Sequence, residues 1–291
     1  MDGTAGLNTT SVIVALALGS ALLFGAMTVA LRFALREDAG AGAAATVLAA
    51  LVVSAAAAGI EAAGAGHGID VPSLWPFALA GLIAPGSSQI LFTLAVREAG
   101  PSRASVVVGA APLVAVTIAL LFLHEPLRLP LVLGALLIVG GGLALATERT
   151  RPEHVRTIGL VYAIATTLFF ATRDNLVRHL ADATTVRPLA AAATTMLAGT
   201  LLGLAYARRL PTRRELRAFA PVGLCFGLSY VLLFEAYYRG RVSVVSPLVA
   251  TESLWGVTLS AVFVRHDRIG RRVLLGALLI VSGGALIGAF R

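Results

Sequence analysis

The feature that most constrains this chain is an internal repeat. The segment LGALLIVGGG at residues 133–142 recurs as LGALLIVSGG at residues 275–284, which is 142 positions later. Other matches at the same offset are Gly81 with Gly223, Arg97 with Arg239, and His124-Glu125 with His266-Asp267. Matches of Ala or Leu are common in so apolar a chain, but Gly, Arg and His matches that share one register are not. The sequence therefore contains a duplication.

The composition indicates a membrane protein. The chain has 291 residues, of which 58% are hydrophobic and 13% are charged, and its mean hydropathy is +0.88. A soluble domain has about 25% charged residues. No stretch is polar enough, for long enough, to form a separate soluble domain. We therefore expect a multi-pass integral protein of the cell membrane, in contact with lipid.

All 23 basic residues are Arg, and the formal net charge is +8. In a soluble protein this excess would suggest nucleic acid. Here the Arg residues lie mostly in short connections between apolar runs, where they act as topology signals and headgroup anchors. We expect no nucleic-acid partner. The lone Cys225 excludes an internal disulfide and a thiolate metal cluster.

Ten apolar runs are long enough to cross a bilayer, since about 20 residues span about 30 Å of hydrocarbon. They are residues 11–35, 41–60, 74–96, 102–123, 127–146, 155–180, 187–207, 218–238, 242–264 and 269–290. A polar linker at residues 148–156 separates a first half, residues 1–147, from a second, residues 157–291. Because five is odd, the halves cross the membrane in opposite senses. The sequence predicts an all-α membrane protein whose ten transmembrane helices form two inverted five-helix repeats, an arrangement typical of transporters.

The repeat also resembles a known family. Its signs are Pro112 in the fourth helix, short connections at His124-Glu125-Pro126 and His266-Asp267-Arg268, and a Gly-rich closing helix in each half. These features are similar to the EamA-type members of the drug/metabolite transporter superfamily. The resemblance implies ten helices and transport of small organic metabolites, and it carries no substrate code. The second half departs from the pattern, because Asp267 stands where Glu is usual and Pro247 lies nearer the start of its helix than Pro112 does.

Two indicators of orientation disagree. The connections and adjoining helix ends on one side of the predicted bundle hold 16 Arg residues, against 7 for the other side and the termini when Arg173 and Arg178 are included. By the positive-inside rule, this count places both termini outside the cell. Family resemblance implies termini in the cytoplasm.

Motifs for catalysis do not occur in the sequence. It has no HExxH, no GxSxG and no phosphate loop, and its five His residues fall at predicted helix ends or in loops. We therefore expect no enzyme, no cofactor and no metal. The glycines at residues 140–142 and 283–284 are interpreted as close-packing surfaces between helices.

Charges that occur in only one half are the candidate site residues, because symmetric positions mostly serve the scaffold. These departures are Glu235 for Thr93, Glu252 for Ala110, and Arg173-Asp174 for Thr28-Val29 at an offset of 145. A charge inside a bilayer costs about 2.5 kcal/mol or more, and it normally faces the bundle interior or a water-filled path. The departures therefore indicate substrate-binding or coupling groups.

Glu252 is the principal candidate. It lies about ten residues into its predicted span, near the midplane and too deep to reach an interface. We hypothesise that it exchanges a proton for a cationic substrate, as ionisable groups in transporters commonly do. The rival hypothesis is that the protein exchanges its substrate without coupling to protons. The alternative for the residue itself is a structural carboxyl hydrogen-bonded to a neighbouring helix.

Arg173, Asp174 and Glu235 are predicted to approach one membrane face and to form a vestibule there. The alternative for Glu235 is an interfacial pair with Arg239, four residues on. Further polar residues at depth are Gln89 and Tyr230, which either line the pocket or belong to the core. Kinks at prolines 85, 112 and 247 would shape a cavity beside them.

The sequence is therefore interpreted as an exporter of a small organic metabolite or xenobiotic that works by alternating access. Two other classes stay open. One is a membrane enzyme acting on a lipid, for which only the group of Arg173, Asp174 and Glu235 could serve. The other is a non-transporting scaffold, which has no reason to bear the cost of a carboxylate in the membrane. The oligomeric state and the substrate are not determined by the sequence.

Overall fold

The chain folds as a bundle of helices. The computed structural model describes residues 3–35, 38–65, 70–99, 104, 107–125, 128–146, 157–263 and 271–290, and every regular element within them is helical. The helices of the first half are α1 (Gly3–Ala34), α2 (Ala39–Ala65), α3 (Trp75–Gly81), α4 (Ser88–Ala99), α5 (Ala111–Phe122) and α6 (Leu129–Ala146). Those of the second half are α7 (Thr157–Ala183), α8 (Pro188–Ala207), α9 (Arg213–Arg239), α10 (Val242–Val249), α11 (Glu252–Phe263) and α12 (Arg271–Phe290). The predicted linker at residues 148–156 and the His266-Asp267 connection lie outside the described residues.

Among the residues that the structure describes, five helical segments are long and apolar enough to cross a membrane, by length and composition. They are Thr10–Ala34, Ala39–Gly64, Val71–Glu98, Pro188–Ala207 and Arg213–Arg239. Hydrocarbon offers no water to the backbone, and the helix is the form in which a single segment bonds its own N–H and C=O groups. The chain is thus a multi-pass integral membrane protein.

The repeated glycines bring α6 and α12 into backbone contact. A Cβ added to Gly134 would lie 2.8 Å from the Gly283 carbonyl oxygen, and one added to Gly141 would lie 2.6 Å from the Gly276 carbonyl oxygen. Gly276 and Gly283 are the repeat equivalents of Gly134 and Gly141. Each contact is therefore the counterpart of the other across the duplication. The prediction that the repeated glycines pack helix against helix is confirmed for Gly141 and Gly283, and it is wrong for Gly140, where an added Cβ would meet nothing within 4 Å.

A second pair of helix–helix contacts is also related by the repeat. Gly81 lies against the backbone of Thr195, and a Cβ on Gly223 would lie 2.5 Å from the Thr46 carbonyl oxygen. Gly81 and Gly223 are equivalent at the offset of 142, while Thr46 and Thr195 are 149 positions apart. At the level of whole helices, α1 packs on α9 as α7 packs on α4. The two repeats therefore interlock, and the main packing interfaces run between the halves.

The fourth and ninth predicted spans are each broken by a turn. Residues 250–251 separate α10 from α11, and residues 109–110 precede α5. These two turns agree with the repeat offset to within one residue. Side-chain hydroxyl groups donate hydrogen bonds to backbone carbonyls at the break in the ninth span. Thr251 Oγ1 donates to Leu248 O at 2.7 Å, and Ser253 Oγ donates to Ala250 O at 3.1 Å. The break thus occurs at equivalent positions in both halves, and in the ninth span some of its backbone carbonyls accept hydrogen bonds from nearby side chains.

The prolines differ in what they do. At Pro85 the third span bends through a wide turn, Leu82–Ser87, in which Ala84 has an extended backbone with φ −146° and ψ 124°. Pro112 lies in the first turn of α5, where a missing N–H has no helical partner to lose, so the expected kink is replaced by a helix start. Pro247 lies inside α10, three residues before the turn that ends it.

We expect Gly141→Leu and Gly283→Leu to lower the amount of folded protein without changing substrate selectivity in what remains. The leucine side chain would occupy the space that the facing backbone fills. Folded yield is measured by size-exclusion chromatography in detergent. Gly140→Leu is the matched control, because a Cβ at Gly140 meets nothing within 4 Å. Normal abundance with an altered substrate preference would move these glycines from the scaffold to the site.

We also expect that a chain cut within residues 148–156 regains activity when both halves are expressed together. The reason is that the main packing interfaces run between the halves, so each half presents the surface that the other needs. Co-purification of a tagged first half with the untagged second half measures the association. Halves that insert stably but never associate would contradict the two-half architecture.

Candidate functional site

A buried ion pair lies in the middle of α7. The Arg173 Nε–H donates to Asp174 Oδ1 at 2.8 Å, and the two residues are 3% and 6% exposed. Arg173 is ten residues from the helix end at Ala183, or about 15 Å along the axis. Taking two charges out of water is costly, and attraction within the pair recovers the cost only with good geometry and further hydrogen bonds. The surroundings of the pair therefore decide whether it is tolerated.

Aromatic rings cover the guanidinium group. The Arg173 Cζ atom lies 4.8 Å from the ring centroid of Tyr230 and 5.5 Å from that of Phe170. Tyr230 belongs to a row of rings on α9, with centroids 4.8 Å from Phe226 and 5.7 Å from Phe234. Phe24 of α1 packs against this row from the first half. Cation–π attraction of this kind is worth about 2 kcal/mol when desolvated.

The second carboxylate oxygen of Asp174 faces α10. Ser246 Oγ donates to Asp174 Oδ2 at 3.4 Å, and Tyr237 of α9 lies beside the same carboxylate. Asn175 anchors the next residue of α7, since its Nδ2 donates to Ala115 O of α5 at 2.9 Å. The ion pair is thus held where α7, α9 and α10 meet, with α5 and α1 close by.

Glu252 is brought to the same region. It is the first residue of α11, directly after the turn that breaks the ninth span, and it is partly buried. Its carboxyl interacts electrostatically with both Arg173 and Asp174. The backbone of α1 packs on this turn, because a Cβ at Gly25 would lie 2.9 Å from the Glu252 carbonyl oxygen. With Tyr230, which contacts Arg173, four of the predicted site residues therefore share one neighbourhood.

The other predicted residues are placed differently. Glu235 forms an ion pair with Arg239 one turn further along α9, and the Arg239 side chain is 43% exposed. This is the geometry of the interfacial pair that the sequence offered as the alternative for Glu235. Gln89 lies fully buried at the start of α4, and α4 packs on α7.

Several buried polar atoms have no hydrogen-bond partner among the described residues. They include Arg173 Nη1, the Tyr230 hydroxyl, Ser88 Oγ, and both amide atoms of Gln89. Native proteins leave few such atoms, and each one calls for an explanation such as a ligand or water. Within the described residues, no group of three or more His, Cys, Asp or Glu side chains is placed to hold a metal ion.

A polar pocket of about 360 Å³ opens at one end of the bundle, where α5 and α7 end and α10 begins. Beside it, Glu125 caps α10 across the repeat: the Val242 N–H donates to Oε1 at 2.8 Å and the Ser243 N–H donates to Oε2 at 3.0 Å. Arg178 also bridges helices here, because its Nη1 donates to Tyr237 O at 3.1 Å. Glu125 thus ties the connection after α5 to the start of α10.

A second polar pocket, of about 480 Å³, opens at the opposite end. It is lined by Asp38 and Gly40 at the start of α2, Arg97 in α4, and Tyr206, Arg208 and Arg209 at the end of α8. Since α8 begins at the end where α7 finishes, its own end lies on the far side of the bundle. Hydrogen bonds to Glu215 raise the pKa of Arg209 in this pocket. The buried ion pair lies between two polar openings.

Sequence reasoning missed three contributors to the site. Phe170 was not distinguished from the other apolar residues of α7. Ser246 was given no role of its own beside Pro247, and Glu125 was considered only as part of a connection. The roles of Ser246 and Glu125 depend on contacts across 72 to 118 positions of sequence. The signal that could have found Ser246 is its position one residue before a proline inside an apolar run.

Comparison with known proteins gives one family and one fold. Residues 11–147 and 157–289 each match the model of the EamA-like transporter family, so both repeats match the same model. A solved structure, described as the crystal structure of a protein, is similar over 95% of this chain and 96% of that chain, with a TM-score of 0.79 and 20% identity. At that identity the likeness shows the fold alone. No curated protein matches the chain.

We expect Glu125→Ala to destabilise the protein, because two backbone N–H groups at the start of α10 lose their acceptors. Loss of hydrogen bonds to a charged group costs about 1–3 kcal/mol. The unfolding temperature in one detergent measures the effect. Asp182→Asn is the control, since Asp182 lines the same pocket in an ion pair with Arg178 but its side chain is 63% exposed. Equal unfolding temperatures for both variants would show that the Glu125 contacts contribute nothing.

Proposed function

The chain belongs to the EamA-like transporter family, and on that premise we propose that it is a secondary transporter that exports a small organic metabolite or xenobiotic by alternating access. In this proposal it lies in the cell membrane as ten spans in two inverted halves, residues 1–147 and 157–291. The Arg count of the connections favours termini outside the cell. The substrate site is the region of Arg173, Asp174 and Glu252, with Tyr230 beside it.

The observation that carries the proposal is the charged cluster at the junction of the helices. Arg173 and Asp174 are buried in an integral membrane protein, and Glu252 adds a second carboxyl within electrostatic range. A scaffold gains nothing from such charges, because well-packed apolar residues would often stabilise it equally well or better. Charges of this kind in membranes mark substrate or ion pathways. The cluster therefore favours transport over a structural role.

The broken spans support the same reading. In many transporters, discontinuous helices near the bilayer midplane present backbone and side-chain groups to the substrate. Here the break at residues 250–251 lies immediately before Glu252, and α10 carries Ser246 to the ion pair. The equivalent break at residues 109–110 lies in the first half. A repeat in which both halves contain the break can exchange the roles of its halves, and that exchange is what alternating access requires.

The two polar pockets fit an arrangement with one opening on each side. Arg178 in the first pocket is five residues from Arg173, or about 7 Å along α7. The ion pair itself is closed to solvent in this conformation. In the proposed cycle, one pocket deepens to the cluster while the other stays closed. Glu252 would then exchange a proton for a cationic group of the substrate. The rival hypothesis is exchange of the substrate without coupling to protons.

A direct test uses the purified protein in liposomes. Candidate substrates come from a growth screen of a deletion strain against amino acids, nucleosides and toxic analogues. Accumulation of the unaltered compound inside the liposomes supports transport. Chemical conversion of a lipid or solute by the protein in detergent, where no compartment exists, would instead support a membrane enzyme. Binding with neither accumulation nor conversion would favour a scaffold.

We expect Glu252→Gln to abolish transport, or to remove its dependence on pH, at normal expression. The substitution keeps the size and much of the hydrogen bonding of the side chain and removes its titration. The initial uptake rate in proteoliposomes, compared over a series of pH values, measures the effect. Asp70→Asn is the control, because it removes an exposed carboxylate that lines neither pocket. Transport indistinguishable from the parent across that series would show that Glu252 only fills space.

A further inference from the structure

We propose that Arg173 and Tyr230 form a subsite for a planar oxyanion group of the substrate, such as a carboxylate. This inference rests on the proposed transport function and adds a substrate group that the function alone does not specify. Arg173, which carries the guanidinium group, is 3% exposed. Its Nε–H is taken by Asp174, while Nη1 has no partner among the described residues. A charged N–H donor left unpaired in a membrane interior is expensive unless a ligand or water occupies the position.

Tyr230 contributes a second unpaired donor on a ring that contacts the same guanidinium group. Its side chain is fully buried, and its hydroxyl also has no partner among the described residues. Its ring lies under the guanidinium group at 4.8 Å, and Phe226 and Phe234 fix the orientation of that ring. Two fixed donors that lack acceptors match a group rich in acceptors. Arg is the side chain best suited to carboxylates and other planar oxyanions.

The ion pair cannot meet this need by itself. Both oxygens of Asp174 are already engaged, one by Arg173 and the other by Ser246. Arg173 and Asp174 together carry no net charge, so the pair neutralises Arg173 without filling its remaining donor position. An additional oxyanion would therefore bind Arg173 on the side away from Asp174, where Nη1 is unpartnered.

The subsite belongs to one half only. The repeat equivalents of Arg173 and Asp174 are Thr28 and Val29, and Thr28 Oγ1 donates to Phe24 O within its own helix. The equivalent of Tyr230 is Ser88. The fold is therefore built at these positions in the first half without a guanidinium or a phenol. A feature that the scaffold does not require is expected to serve the ligand.

Glu252 gives the subsite a distinctive electrostatic property. Its carboxyl acts on Arg173 and Asp174 from the start of α11. When it is ionised, it opposes the arrival of another anion. Removing its charge should therefore strengthen the binding of a simple carboxylate by about tenfold, although the same substitution is expected to impair transport. This opposite response of binding and transport separates the subsite from the transport cycle.

The test uses three matched pairs of small compounds, each a monocarboxylate and its primary amide: butyrate and butyramide, benzoate and benzamide, and 3-phenylpropionate and 3-phenylpropionamide. Thermal stabilisation of the full-length protein in detergent, followed over a concentration series, gives an apparent affinity. We expect carboxylates to stabilise the protein, and amides to do so at least about tenfold more weakly. Tyr230→Phe should weaken carboxylate binding about tenfold, because it removes only the hydroxyl group.

The controls keep the outcome decisive. Tyr162→Phe removes a half-buried phenol that lines neither pocket, and it should leave carboxylate binding unchanged. Arg173→Lys keeps the charge without the planar fork and should also lose affinity, while Tyr230→Phe serves if that variant fails to fold. The subsite is refuted if no carboxylate stabilises the protein, if amides bind as well, or if Tyr230→Phe binds like the parent. A carboxylate that binds by these criteria but never enters liposomes leaves the subsite standing and contradicts its role in a transporter.

Discussion

Close backbone contact between the two halves is the interaction on which the rest of this structure depends. Lipid tails are as apolar as leucine, so helices in a membrane gain little by hiding apolar side chains and associate largely through packing. Glycine permits the closest approach, and here it stands where α6 meets α12 and at Gly81 and Gly223, where the carbonyl or backbone of a helix from the other half is the facing group. Because each such contact has a counterpart in the repeat, the two halves are bound by nearly the same interactions in both directions.

The buried charges stand apart from that shared framework. Arg173 and Asp174 occur in one half only, on a framework that the other half builds with Thr28 and Val29. Their cost is offset by one another, by Ser246 and by the ring of Tyr230. The short helix α10 contacts this pair in its middle, is capped by the Glu125 carboxylate at its start and ends at the break before Glu252. One eight-residue helix therefore contacts the buried charges and is bonded to Glu125, which lines the pocket at the end of the bundle.

The sequence predicted the framework better than the site. An offset of 142 implied equivalent halves and packing glycines, because a duplication preserves positions that the fold needs, and the contacts of Gly141 and Gly283 confirm it. Charge asymmetry singled out Arg173, Asp174 and Glu252, since an unpaired charge in a membrane is costly. For Glu235, the four-residue spacing to Arg239 had offered an interfacial pair as the alternative to the vestibule, and the structure contains that pair. The sequence could not tell that Glu125 would cap a helix 117 positions later. Such a partner is set by helix rotation and tilt, which leave no local signal in a uniformly apolar chain.

The measurement that tests the central claim most directly is a pair of distances across the two ends of the bundle in lipid nanodiscs. Spin labels at positions 122 and 182 report on one pocket, and labels at 97 and 206 report on the other; each pair joins residues from different halves. Alternating access predicts two populations for each distance, with any change of pH or ligand that shortens one lengthening the other. Single distances that stay fixed under all conditions, or ends that widen together, would contradict a transporter that opens to one side at a time.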